Sequence, residues 1–132
     1  AAIGLAQLRK IDKFISRRRE ICFKYENAFQ SLEGIQLLSV DYKTVAPHIY
    51  VIRVKNDLRD SLMQYLQDQE VETGISYIPN HFHTLYRQAD LVLPETEKAF
   101  KEILTLPLHC KLSDSDVGTV ISSIYNFFKD DN

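Results

Sequence analysis

Apolar residues at Leu5, Leu8, Ile11, Ile15, Cys22, Tyr25 and Phe29 recur at helical spacing, while Arg9, Lys13, Arg17 and Glu20 occupy the opposite face. This pattern predicts one long amphipathic helix over residues 2–31, with Gly34 as its stop. Ile35–Val40 fits a short strand, and Asp41–Pro47 is polar and irregular, as a surface loop is. His48–Val54 is rich in β-branched and aromatic residues and forms the clearest strand. Asn56-Asp57 marks a turn, with Asp57 placed to cap a helix whose inner stripe is Leu58, Leu62, Tyr65, Leu66 and Gln69.

Val71–Tyr77 reads as another strand, interrupted by Gly74 and ended by Pro79. Asn80–Gln88 fits a loop or one or two helical turns. Pro94 suits a first helical turn, where its missing N–H is not needed, and Ala99, Phe100 and Ile103 would face inward from that helix. Leu104–Leu108 makes a further short extended segment. Ser113 followed three residues on by Asp116 is a capping signal for a last helix, with Val117, Val120, Ile121, Ile124 and Phe128 on one face. Short strands alternating with amphipathic helices predict an α+β fold: a small antiparallel or mixed sheet of three to four strands, helices packed on one face, preceded by a long helix. The expected division is a linking helix over residues 1–33 and a small α+β domain over residues 34–132.

At 132 residues the chain has the size of one domain and can bury a real core. A net charge of -2 provides no field that recruits nucleic acid or an anionic membrane. The basic run Arg17-Arg18-Arg19 is followed at once by Glu20 and reads as a solvated helix face. No apolar run approaches the ~20 residues of a membrane span, and no basic-then-apolar leader is visible. Cys22 and Cys110 lack paired spacing, which fits a reducing, cytoplasmic setting. The chain opens on Ala1, inside a helical pattern and without Met, as a piece of a longer protein does.

The candidate chemistry is sparse. His81, His83, His109 and Cys110 are zinc-type ligands, but their spacing matches no finger or protease pattern, and they read as loop and core residues. Cys110 beside His109 is read as the end of a buried strand, because nucleophile and base are assembled in space rather than as sequence neighbours. The lysines all fall on polar helix faces or near loops, so none has the desolvation that an amine nucleophile requires. With Gly 4 in the whole chain, no glycine-rich phosphate cradle exists. One constellation remains: Tyr77, Pro79, Asn80, His81, His83 and Tyr86 follow a predicted strand and place a phenol, an amide and imidazoles on one loop. Such groups can hydrogen-bond hydroxyls and phosphates at a cleft wall, or simply cap a turn.

The opening AAIGLAQLRKIDKFISRRRE, then HIYVIRV, RDSLMQYLQDQ, VETGISY and LTLPLH, in this order and spacing, resemble the C-terminal part of the DegT/DnrJ/StrS aminotransferases. Those enzymes use pyridoxal phosphate to place amino groups on sugar nucleotides. The resemblance implies the small domain of a fold-type I enzyme, with the cofactor lysine, the aspartate on the pyridine nitrogen and the ring-stacking aromatic all in a large catalytic domain outside this chain. It implies a homodimeric parent acting on a nucleotide-linked keto sugar with an amino donor such as glutamate. It also implies that this piece alone is inactive and binds no cofactor. In the family the loop after the Thr-Gly strand lies at the mouth of the active site, which carries over to Tyr77, Asn80 and His81 as substrate-binding residues. Many members read Pro-Leu-His there, whereas this chain reads Pro-Asn-His. The other reading is a free-standing binding or regulatory module of ferredoxin-like type, which would bury the stripe of its first helix internally.

Overall fold

The computed structural model describes residues 2–87 and 91–130. The elements run α1 (Ala2–Leu8), α2 (Ile11–Phe29), β1 (Ile35–Leu37), β2 (Tyr50–Val54), α3 (Arg59–Asp68), α4 (Pro94–Glu102), β3 (Ile103–Leu106) and α5 (Asp114–Asp130), with a short 3-10 turn at Asn80–Phe82. Gln88, at the end of the stretch that fitted either a loop or helical turns, lies outside the described residues, as do Ala1 and Asn132 at the ends of the expected domains.

The strands form one antiparallel sheet in the order β1-β2-β3, with Leu37 opposite Ile52 and Ile52 opposite Leu104. Side chains alternate across a strand, so Tyr50, Ile52 and Val54 share the buried face of β2 while Val51 and Arg53 share the other. On that buried face the sheet meets Ile21, Cys22, Tyr25 and Phe29 of α2, Leu62 and Leu66 of α3, and Val117, Val120 and Ile124 of α5 in one core. Residues on both sides of the expected 33/34 division contribute to it. On the other side of β2, Arg53 pairs with Glu102 at the end of α4, at 2.7 and 2.6 Å.

Several local expectations are corrected. The single helix predicted over residues 2–31 is two helices, broken at Arg9-Lys10. The second ends at Phe29, not at Gly34. Gly34 sits in the following turn at φ 90°, and its carbonyl accepts the Lys55 N–H at 2.8 Å as β1 and β2 begin to pair. Asp57 does not cap α3: it lies at φ 57° beside Asn56 at φ 61°, and Leu58 takes the cap position without a side-chain bond. Val71–Tyr77 is not a strand, because only Gly74 pairs, in a single bridge to Thr105. The capping signal of α5 is realised in full: Ser113 Oγ accepts the Asp116 N–H at 3.1 Å, and Asp116 Oδ2 accepts the Ser113 N–H at 2.8 Å.

The basic run is engaged within the fold. Arg17 donates to the Leu112 carbonyl and to Asp114, both at 2.7 Å, tying α2 to the start of α5. Arg19 holds the 41–47 loop through the Val45 carbonyl at 3.0 and 2.8 Å.

Gly34 gives a direct test of this packing. A Cβ there would stand 2.5 Å from the Phe128 ring on a backbone at φ 90°. Gly34→Ala is expected to destabilise the domain by about 1–3 kcal/mol, because ring displacement adds to left-handed backbone strain. Thermal unfolding should show the midpoint falling by roughly 5–10 °C. An unchanged midpoint would mean that the turn relaxes freely.

Candidate functional site

The site is built from the segment that leaves α3. Glu70, at φ 59°, turns the chain out of the helix, and Val71 is buried with its N–H on the Leu66 carbonyl at 2.8 Å. Gly74 then exchanges two backbone bonds with Thr105, at 3.1 and 2.7 Å, which lays the segment along the free edge of β3. Past that bridge the chain moves outward: Tyr77 is 79% exposed and Ile78 is 52% exposed. Pro79 is buried again, and its carbonyl accepts the Phe82 N–H at 2.9 Å, which closes the 3-10 turn.

This turn separates the three predicted ligands. Tyr77 and Asn80 are exposed. His81, expected as a further donor to substrate, turns inward and is only 8% exposed. Its Nε2 lies 3.1 Å from Glu97 Oε1 of α4. The same Glu97 oxygen accepts the Leu93 N–H at 3.1 Å, ahead of the first turn of α4. The Leu93 amide and the His81 imidazole together hold the Glu97 carboxyl below its ordinary range. Beside this pair the His81 and Phe82 rings lie 4.4 Å apart, and Phe82 meets Phe100 edge-on at 5.9 Å. The Arg59 guanidinium lies 5.7 Å over the other end of this row, at Phe100. Arg59 is buried and donates to the Ile103 carbonyl at 3.4 Å. The helical stripe had offered no reason to expect a buried arginine beside Leu62 and Leu66.

His83 and Tyr86, the remaining members of the constellation, are exposed, and the Tyr86 N–H rests on the His83 carbonyl at 3.0 Å. His81 and His83 therefore face different surroundings, and among the described residues no group of three or more His, Cys, Asp or Glu is placed to hold a metal ion. Near the other candidate pair, His109 Nδ1 accepts the Lys111 N–H at 3.3 Å rather than engaging Cys110. Burial pushes the Cys22 thiol up to about 12, far from a reactive thiolate. A cleft of about 610 Å³ runs along the start of the segment, lined among others by Glu72, Thr73, Gly74, Thr105, His109 and Asp116. Tyr77, Asn80 and His81 lie outside its lining.

A family model of the DegT/DnrJ/EryC1/StrS aminotransferases matches residues 1–125, nearly the whole described fold. The chain belongs to this aminotransferase family. A dTDP-4-dehydro-2,3,6-trideoxy-D-glucose 4-aminotransferase of Saccharopolyspora spinosa is 36% identical over 122 residues, covering 91% of this chain and 31% of that protein. The spore coat polysaccharide biosynthesis protein SpsC of Bacillus subtilis (strain 168) is 33% identical, covering 98% of this chain and 36% of its own length. The crystal structure of the aminotransferase TlmJ from Streptoalloteichus hindustanus superposes with a TM-score of 0.85 at 36% identity, over 92% of this chain and 34% of that one. This DegT/DnrJ/EryC1/StrS chain thus spans about a third of the length of these relatives, and its α+β fold is a domain of theirs.

Proposed function

We propose that this chain is the C-terminal, small-domain part of a pyridoxal-phosphate-dependent aminotransferase that acts on a nucleotide-linked keto sugar in amino-sugar or polysaccharide biosynthesis. The observation that carries the reading is the 36% identity to a nucleotide-sugar 4-aminotransferase over 91% of this chain. The parent takes its amino group from glutamate, works as a homodimer in the cytoplasm, and joins this piece to a large catalytic domain. No helix among the described residues is long and apolar enough to cross a membrane.

The residues present do not fit the role of holding the cofactor. A lysine that bonds it must be desolvated or placed beside positive charge so that it loses its proton. None of the lysines here is buried, and half-buried Lys24 is instead held charged by Asp114 and Glu20. The role left for this chain is to complete the substrate pocket. Tyr77 and Asn80 contact the nucleotide sugar, and His81 acts from behind them. The ferredoxin-like module is disfavoured by α1, where Ile3 is 81%, Leu5 56% and Leu8 63% exposed rather than covered within the chain.

The test is made in the full-length enzyme. Asn80→Ala and Tyr77→Phe are each expected to raise KM for the nucleotide sugar roughly three- to tenfold, the loss of one neutral hydrogen bond. The half-reaction with glutamate alone should keep its rate. Unchanged KM in both variants would remove the loop from the pocket, and failure to aminate any nucleotide-linked keto sugar would remove the substrate class.

A further inference from the structure

We propose that His81 is a positioning residue: through Glu97 it fastens the 3-10 turn that carries Asn80 to the start of α4, and so fixes Tyr77 and Asn80 in place before substrate arrives. This rests on the proposed function above and assigns the loop an internal brace.

Three observations converge. First, His81 is buried between exposed neighbours, since Asn80, Phe82 and His83 all reach solvent. Its imidazole therefore lies on the protein side of the turn, while the Asn80 amide lies on the solvent side. Second, the bond is directional. An ionised carboxylate only accepts, so the imidazole donates from Nε2 to Glu97 Oε1 across 3.1 Å. The one carboxylate oxygen also accepts the Leu93 N–H, so the turn and the entry to α4 share a single anchor. Third, a second contact runs beside the first. Phe82 packs edge-on to Phe100, which in turn lies under the guanidinium of Arg59.

The chain between Pro79 and the start of α4 makes no strand or α-helix among its described residues. Without an anchor, ordering such a loop around a ligand lowers affinity, because each residue loses backbone freedom on binding. The anchor moves that ordering into folding. Its loss should therefore appear in sugar affinity and not in chemistry at the amino donor.

The test uses the full-length enzyme with a nucleotide-linked keto sugar and, separately, with glutamate alone. His81→Ala and Glu97→Ala should each raise KM for the sugar roughly tenfold, as expected for losing a charge-assisted hydrogen bond. Because the two act through one bond, the double variant should be no worse than the poorer single one. The glutamate half-reaction should stay within about twofold of the parent. His81→Gln keeps a donor that can reach Glu97 and should recover most of the loss. Hydrogen exchange should show the amides of residues 77–86 opening faster in Glu97→Ala. If His81→Ala does not fold, Glu97→Ala carries the test, since the Glu97 side chain is 30% exposed and its truncation opens less of the interior.

A rise in KM for His81→Ala with none for Glu97→Ala would overturn the proposal, because the imidazole would then be touching substrate itself. Unchanged exchange in Glu97→Ala would overturn the brace while leaving the pocket reading intact. Faster exchange with unchanged KM, together with a silent Asn80→Ala, would show that the brace exists but that the loop serves no pocket. That result overturns both.

Discussion

Tyr50→Ala lowers the stability of the domain by about 3–5 kcal/mol, the range for removing a fully buried aromatic ring. Small domains hold only about 5–15 kcal/mol in all, so the variant stands near global unfolding. The position explains the size. Tyr50 is 1% exposed and opens the central strand, opposite Leu106 of β3. Its ring lies 5.0 Å from Tyr25 of α2 and 5.8 Å from Tyr42 of the 41–47 loop. Tyr25 in turn donates its hydroxyl to the Pro107 carbonyl at 3.0 Å, which ties the long helix to the chain beyond β3. One ring thus joins helix, sheet and loop, and no neighbour can move into the space without leaving another of the three. Tyr50→Phe keeps both ring contacts and serves as the control. Urea denaturation followed by far-ultraviolet circular dichroism reads the effect. A midpoint within experimental scatter of the parent would show that the stack is not the centre of the core.

The second large effect is on activity. Mixed with pyridoxal phosphate, glutamate and a nucleotide-linked keto sugar, the 132-residue chain alone is expected to form no aminated product. Transfer needs an amine nucleophile that is neutral and a site closed to water. Here the lysines are exposed or, in Lys24, held protonated by carboxylates, so the first condition fails. Joining the chain to the preceding part of the parent should restore turnover. Chromatographic detection of the amino sugar decides the matter, and measurable turnover by the chain alone would mean that a nucleophile has been misread.

The fold was legible where the local signal and the tertiary outcome coincide. The stripe Val117, Val120 and Ile124 lies within α5 and the Ser113–Asp116 cap closes its first turn, and both are present in the structure. The break at Arg9-Lys10 was not legible, because it contains neither glycine nor proline and the apolar period runs through it unbroken. Val71–Tyr77 shows the opposite failure. Its residues suit a strand, but a strand also needs a neighbour in reach, and the chain leaves β3 after Gly74. In the candidate site, Asn80 was legible as a residue of the segment after Pro79, whereas Tyr77 fell at the end of the expected strand 71–77 and was singled out through the family resemblance. The inward aim of His81 was not legible, because its partner Glu97 lies sixteen residues on, across a loop of no regular period.

The break between α1 and α2 has a mechanical consequence. A continuous rod would pass any rotation at its first turn directly to Tyr25 and Phe29, and through them to the sheet. Two helices joined at Arg9-Lys10 place a joint in that lever, where dihedral changes at two residues can absorb the rotation. None of the residues of α1 is buried, so the core makes no demand on its angle. At seven residues α1 is also well short of the ~12–15 that hold an isolated helix in water. Its helicity therefore draws nothing from the core of this chain, with Ile3, Leu5 and Leu8 all exposed, and order on the far side of the joint is independent of order on the near side.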